Sequence, residues 1–124
     1  MATTMIFTPD QLTEIEESPL DEVLELAGDL LDSTNSVLGG APKDSKSKLE
    51  NLNRFLGDIC ARMSEYKGHI PDLLMKPGPT SVFIDLLSVE WAHDLGLKGP
   101  ALVTVFALIA ARYGLPDMIA KFKK

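Results

Sequence analysis

A chain of 124 residues with 45% apolar and 24% charged side chains has material for one real core and too much apolar content for wholesale disorder. Its net charge of −6 argues against phosphate backbones and anionic membranes as partners. Cys60 is the single cysteine, and the start, MATTMIF, has no basic stretch followed by an apolar one; no internal disulfide and no secretory signal are expected, and the setting reads as cytoplasmic.

Residues 1–7 are expected to form a flexible N-terminus. Thr8-Pro9-Asp10-Gln11 then places a capping threonine, a proline at the first helical position and a glutamine at the third, which predicts a short helix ending near Glu17. Ser18-Pro19-Leu20-Asp21 repeats the start signal. The helix that follows carries Leu20, Leu24, Ala27, Leu31, Thr34 and Leu38 at alternating spacings of four and three, flanked by Val23, Leu30 and Val37, an amphipathic period. Gly39-Gly40 is its expected stop.

Residues 41–48 (APKDSKSK) read as a flexible connection. A helix from about Ser45 to Lys67 follows, with Leu49, Leu52, Leu56, Ile59, Met63 and Tyr66 on one stripe, Phe55 and Cys60 beside it, and Gly68 as its stop. The two long helices are expected to pair antiparallel. Each contains a mid-helix glycine, Gly28 and Gly57, at a cost of about 1 kcal/mol against alanine; a close crossing there would give both a use.

Residues 69–80 form a Pro/Gly-rich break, in which Leu73, Leu74 and Met75 are expected to make one turn that plugs the core. Thr80 or Ser81 is the expected cap of a helix over Val82 to Leu95, which holds Phe83, Leu86, Leu87, Trp91 and Leu95 and stops at Gly96. Gly99 to Ala111 reads GPALVTVFALIAA, uncharged, with Thr104 as its only polar side chain. At about 1.5 Å per residue it spans roughly 20 Å, short of the roughly 30 Å of a bilayer core. It therefore reads as a buried central helix, with no membrane span expected. Gly114 ends it, and a last short helix begins at Pro116-Asp117 and runs into the lysines. No alternating run exceeds four residues. The expected fold is all-α: a single compact domain of five or six helices, with the N-terminal antiparallel pair packed around the buried apolar C-terminal helix.

Trp91-Ala92, Leu95-Gly96-Leu97, Leu102 and Val105 supply a small contact residue, a turn glycine and apolar anchors at the spacing of a helix-turn-helix. Residues 89–113, about a fifth of the chain, resemble that motif. The resemblance implies a recognition helix whose outward positions are Lys98, Gly99, Pro100, Ala101, Val103, Thr104 and Ala107. One lysine and one threonine are a poor set for reading base edges, so nucleic acid is not the expected partner.

Other chemistry is sparse. Glu90 and His93 stand three apart on one helical face, as in di-iron bundles, but the spacing has no second copy; both are expected on the wet side, with Trp91 and Leu87 inward. Cys60 with His69 or His93 lacks an evident oxyanion site. Gly39-Gly40-Ala41-Pro42-Lys43 lacks the spacing of a phosphate loop. No catalytic residue, metal ligand or cofactor is assigned, and the chain is not expected to be an enzyme.

Charge placement is more informative. From Asp10 to Asp32 there are nine acids and no lysine or arginine, whereas the chain finishes with Lys121, Lys123 and Lys124. The expected role is protein–protein contact, as an oligomeric subunit, adaptor or small accessory or inhibitory protein, through an acidic N-terminal face and apolar helix surfaces. The candidate partner-binding residues are Glu14, Glu17, Asp21, Glu25 and Asp32, with Leu26, Met118, Ile119 and Phe122 as exposed apolar contacts. The partner is another protein or a second copy. The alternatives are a helix-turn-helix DNA binder using residues 89–113 and a carrier of a lipid or other apolar ligand.

Overall fold

The computed structural model describes residues 7–36 and 45–123. Residues 1–6 of the expected N-terminal segment, the Gly39-Gly40 stop and residues 41–44 of the expected connection lie outside them. Residues 45–48, where that connection and the helix expected from about Ser45 overlap, are the first turn of the helix.

The described residues form seven α-helices, with no strand among them. Helix α1 (Pro9–Glu17) opens with the reciprocal cap its sequence encodes: the Gln11 amide donates to Thr8 Oγ1 at 3.2 Å, and the Thr8 amide donates to Gln11 Oε1 at 2.8 Å. Helix α2 (Leu20–Ser36) buries Val23, Ala27 and Leu31, so its inward line runs one residue to the side of the Leu20–Leu24 line, which is half-buried. Helix α3 (Ser45–Glu65) buries Leu52, Leu56, Ile59, Cys60 and Met63, while Leu49, the first residue of its stripe, is 41% exposed.

Gly28 faces the start of α3, where a Cβ on it would lie 3.6 Å from the Lys48 carbonyl oxygen. Gly57 is nine positions further along α3, about 14 Å at helical rise. The two glycines therefore do not share one crossing point as their spacing suggested; Gly28 accommodates the backbone at Lys48.

A 3₁₀ turn over Asp72–Leu74 interrupts the Pro/Gly-rich stretch. Of its three apolar residues only Leu74 plugs the core; Leu73 is 67% exposed and Met75 is also exposed. The following segment is expected as one helix but is two. Helix α4 (Thr80–Leu87) starts at Thr80 with Pro79 at the cap and no side-chain capping bond. It ends where the Ser88 hydroxyl turns back to donate to the Ile84 carbonyl at 2.5 Å. Val89 is extended (φ −114°, ψ 170°) and helix α5 (Glu90–Asp94) begins after it. That break raises the helix count above the expected five or six.

Helix α6 (Pro100–Tyr113) is the centre of the core. Every residue from Val103 to Ala111 is buried, including Thr104, whose hydroxyl donates to the Pro100 carbonyl at 2.7 Å. Helices α2, α4 and α7 (Leu115–Phe122) pack against it. Between α6 and α7 the chain bends by 104° at Gly114, whose φ of +77° and ψ of 152° belong to a region that only glycine occupies readily. A Cβ there would meet the Met75 carbonyl oxygen at 2.9 Å and Lys76 backbone atoms at 3.0 Å. The Gly78 amide donates to the Ala111 carbonyl at 3.0 Å. The Pro-Gly-Pro loop thus lies directly over the bend, and the bend needs a glycine for two separate reasons.

Candidate functional site

The acidic residues singled out by sequence fall on two helices. Glu14 and Glu17 lie exposed on α1. Asp21 and Glu25 lie exposed on α2, one turn apart, and Asp29 continues the line at the next turn. This line borders an open groove of about 270 Å³ between α2 and α3, walled by Asp21, Leu24, Glu25, Gly28, Asp29, Lys48 and Leu49. Asp32, half-buried, stands beyond Asp29 and close enough to Lys48 to contribute to its electrostatics.

Lys48 bridges the groove at one end. Its ammonium donates to Asp29 Oδ1 at 2.9 Å. The hydrogen bond from Asp29 outweighs a small desolvation penalty and, with the fields of Asp29, Asp32 and Glu25, holds the Lys48 ammonium above its ordinary pKa. Asp21 and Glu25 have no ion pair among the described residues. The groove is thus acidic along the α2 rim, apolar at Leu24, Gly28 and Leu49, and neutralised only at its Asp29 end.

The expected apolar contacts are corrected by the structure. Met118 is fully buried in the core, because α7 lies across α3 and brings the Met118 carbonyl to 3.8 Å from Cys60 Sγ. Leu26, Ile119 and Phe122 are half-buried and pack on the core; the Phe122 ring meets Tyr113 edge-on at 6.0 Å. Met118 is therefore no surface contact, and the other three are covered in part. Among the described residues the exposed large apolar side chains are Leu49, Leu73, Met75 and Val89. Sequence reasoning missed Leu24, Gly28, Asp29, Lys48 and Leu49 as groove residues. The available signal was the i, i+4, i+8 line of Asp21, Glu25 and Asp29 running beside the i, i+4 line of Leu24 and Gly28.

The helix-turn-helix resemblance resolves into a corner held from outside. Arg62 of α3 donates to the Leu95 carbonyl at 3.1 Å, and Gly96 has φ +114° with Arg62 and Ile59 atoms where a Cβ would stand. Of the implied outward positions, Val103, Thr104 and Ala107 are buried, Ala101 is half-buried, and only Lys98, Gly99 and Pro100 are exposed. The helix that would enter a groove of DNA is enclosed by its own protein. A second open hollow, of about 510 Å³, lies beside this corner against Val89, Glu90, His93, Leu97, Pro100 and Val103. Glu90 and His93 are both exposed, and no cluster of three metal-ligating side chains occurs among the described residues. Trp91 is half-buried and stacks on Tyr66 at 5.4 Å.

Cys60 is buried, and desolvation pushes its thiol up to about 12, so at neutral pH it is a packed thiol and a poor nucleophile. No single helix among the described residues is long and apolar enough to cross a membrane. Comparisons with protein-family models, with characterised proteins and with solved structures found no significant match to this chain.

Proposed function

We propose that this chain is a non-catalytic protein–protein interaction protein of the cytoplasm, an oligomeric subunit, adaptor or small accessory or inhibitory protein, which engages its partner through the acidic face of α1 and α2. In this reading α2 and α3 are an antiparallel pair that presents the face, and the buried α6 keeps it rigid. The observation that carries the reading is the α2–α3 groove: a line of carboxylates, two of which have no ion pair among the described residues, set beside apolar wall residues. An interface edge is polar and solvent-exposed beside its apolar centre, and charge on that edge steers a partner of opposite sign. The buried free thiol of Cys60 is compatible with a reducing compartment.

The test is zero-length carbodiimide coupling of the chain in its native extract, with the linked carboxylates located by mass spectrometry. The reading expects links concentrated on Glu14, Glu17, Asp21, Glu25, Asp29 and Asp32, to one recurring partner chain or to a second copy. Links distributed by exposure over Glu50, Asp58, Asp72, Asp85 and Asp117 would contradict it.

A further inference from the structure

Resting on the acidic-face reading of the function, we infer that the α2–α3 groove receives a basic amphipathic helix from a different protein, one with cationic side chains at i and i+4 and apolar side chains at i+3 and i+7. Helix α2 displays two adjacent lines along the groove. One is Asp21, Glu25 and Asp29; the other is Leu24 and Gly28. A helix carrying a basic line beside an apolar line is the complement of that surface. Leu49 forms the opposite wall and is 41% exposed, which gives the apolar line of the partner something to cover. Gly28, buried against Lys48 of α3, forms the floor of the groove, so the apolar contact of the partner falls on Leu24 and Leu49.

Lys48 shows the geometry of the contact. It already places one ammonium at 2.9 Å from Asp29, the arrangement that a partner's cations would repeat at Asp21 and Glu25. From Asp21 to Asp29 is about 12 Å of helix, so two turns of a partner are engaged.

Among the described helices, a second copy does not offer this complement. Helix α3 alternates its cations with acids (Arg54, Asp58, Arg62), and α7, which carries Lys121, has its apolar side used: Met118 is buried, and Ile119 and Phe122 pack on the core. Lys121 lies over the Tyr113 ring, 5.9 Å from its centroid. Helix α7 therefore presents Lys121 without a free apolar line beside it. An anionic lipid surface is repelled by the rim carboxylates.

The experiment is a fluorescence-anisotropy titration of the full chain with a labelled peptide of about 16 residues, long enough to be partly helical, made of Arg, Leu and Ala in the stated pattern. A scrambled peptide of identical composition is run beside it. The expected result is saturable binding of the patterned peptide, with the scrambled peptide weaker by about tenfold. Glu25→Lys is expected to weaken binding by about tenfold, because a like charge replaces an attractive one. Leu49→Ser, at an exposed position where the fold is insensitive, is expected to weaken it by about fivefold. Asp85→Lys on α4, exposed and away from the acidic face, is expected to change it by less than about twofold. Equal binding of both peptides, or affinity unaffected by Leu49→Ser, would overturn the inference and leave only general attraction to an acidic face. A dimer of the chain alone that the peptide displaces would overturn it in favour of a second copy. If the peptide fails while carbodiimide links still cluster on α1 and α2, the docking mode is wrong and the acidic-face function stands.

Discussion

Arg112, in the last turn of α6, donates through its guanidinium to the carbonyl of Ile15, 97 positions earlier, at 2.7 Å. The same nitrogen donates to the Ser18 carbonyl. Both acceptors lie at the C-terminus of α1, where a positive charge is favoured; the Ile15 carbonyl also accepts from the Ser18 amide at 3.1 Å. The central helix thus holds the first helix in place from the far end of the chain.

Arg112→Ala is therefore expected to cost about 1–3 kcal/mol, the range for a charged donor removed from part-buried acceptors. Arg112→Lys is expected to recover part of that loss, since an ammonium keeps the charge and the donors but not the reach and planar geometry of the guanidinium. Chemical denaturation gives the energy. Hydrogen exchange is expected to show faster opening in residues 9–17 than elsewhere; uniform loss of protection would argue against a specific tether.

The positive-φ glycines separate backbone strain from crowding. Gly99 has φ +111° and nothing within 4 Å of where a Cβ would stand, whereas Gly114 would drive a Cβ into the backbone of Met75 and Lys76. Gly99→Ala is expected to cost about 1–3 kcal/mol from conformation alone. Gly114→Ala is expected to cost about 1–3 kcal/mol more than Gly99→Ala, because the loop over the bend must shift. Thermal melts of the two variants check the order, and equal melting temperatures would refute the crowding at Gly114.

Burial makes Cys60 both silent and pH-sensitive. Its thiol is held protonated up to about 12, against an ordinary value of 9.0. The folded state therefore binds more protons than the unfolded state between those values. Its contribution to stability is complete below about pH 9 and declines as pH rises toward 12. Denaturation at pH 7 and at about pH 10 is expected to show a larger loss for the natural chain than for Cys60→Ala. Maleimide labelling in native buffer is expected to be slow and to become rapid in denaturant; fast native labelling would contradict the burial.

Lys48 neutralises one end of the groove without supporting the fold. As an exposed partner in an ion pair with Asp29, it is expected to be replaceable by Gln with little change in melting temperature. The same substitution is expected to tighten binding of the patterned basic peptide and to steepen its salt dependence, since Asp29 then joins the open carboxylates. Unchanged affinity and unchanged salt slope would argue that the peptide contacts another surface.

Local chemistry was legible and relative placement was not. The Thr8–Gln11 cap and the buried α6 follow from residue types at fixed spacing. The Ser88–Val89 break does not, because the apolar period of Phe83, Leu87 and Trp91 continues across it while the hydroxyl of Ser88 ends the helix. Leu49 belongs by period to the same stripe as Leu52 and Leu56, but only the reach of α2 decides which end of that stripe is covered. Met118 sits beside lysines in a short amphipathic helix, and its burial depends on α7 folding back across α3. The acidic line was visible in the sequence; its apolar neighbours Leu24 and Leu49 became part of a site only when α3 was laid against α2.

The most direct measurement is an amide chemical-shift map of the isotope-labelled chain titrated with the patterned basic peptide. Recognition through the acidic groove predicts saturating shifts confined to residues 21–29 and 48–49, with α7 and the α4–α6 corner unmoved. Shifts centred on Leu73 and Met75 or on the Val89–His93 hollow, or no saturable shifts at all, would contradict it.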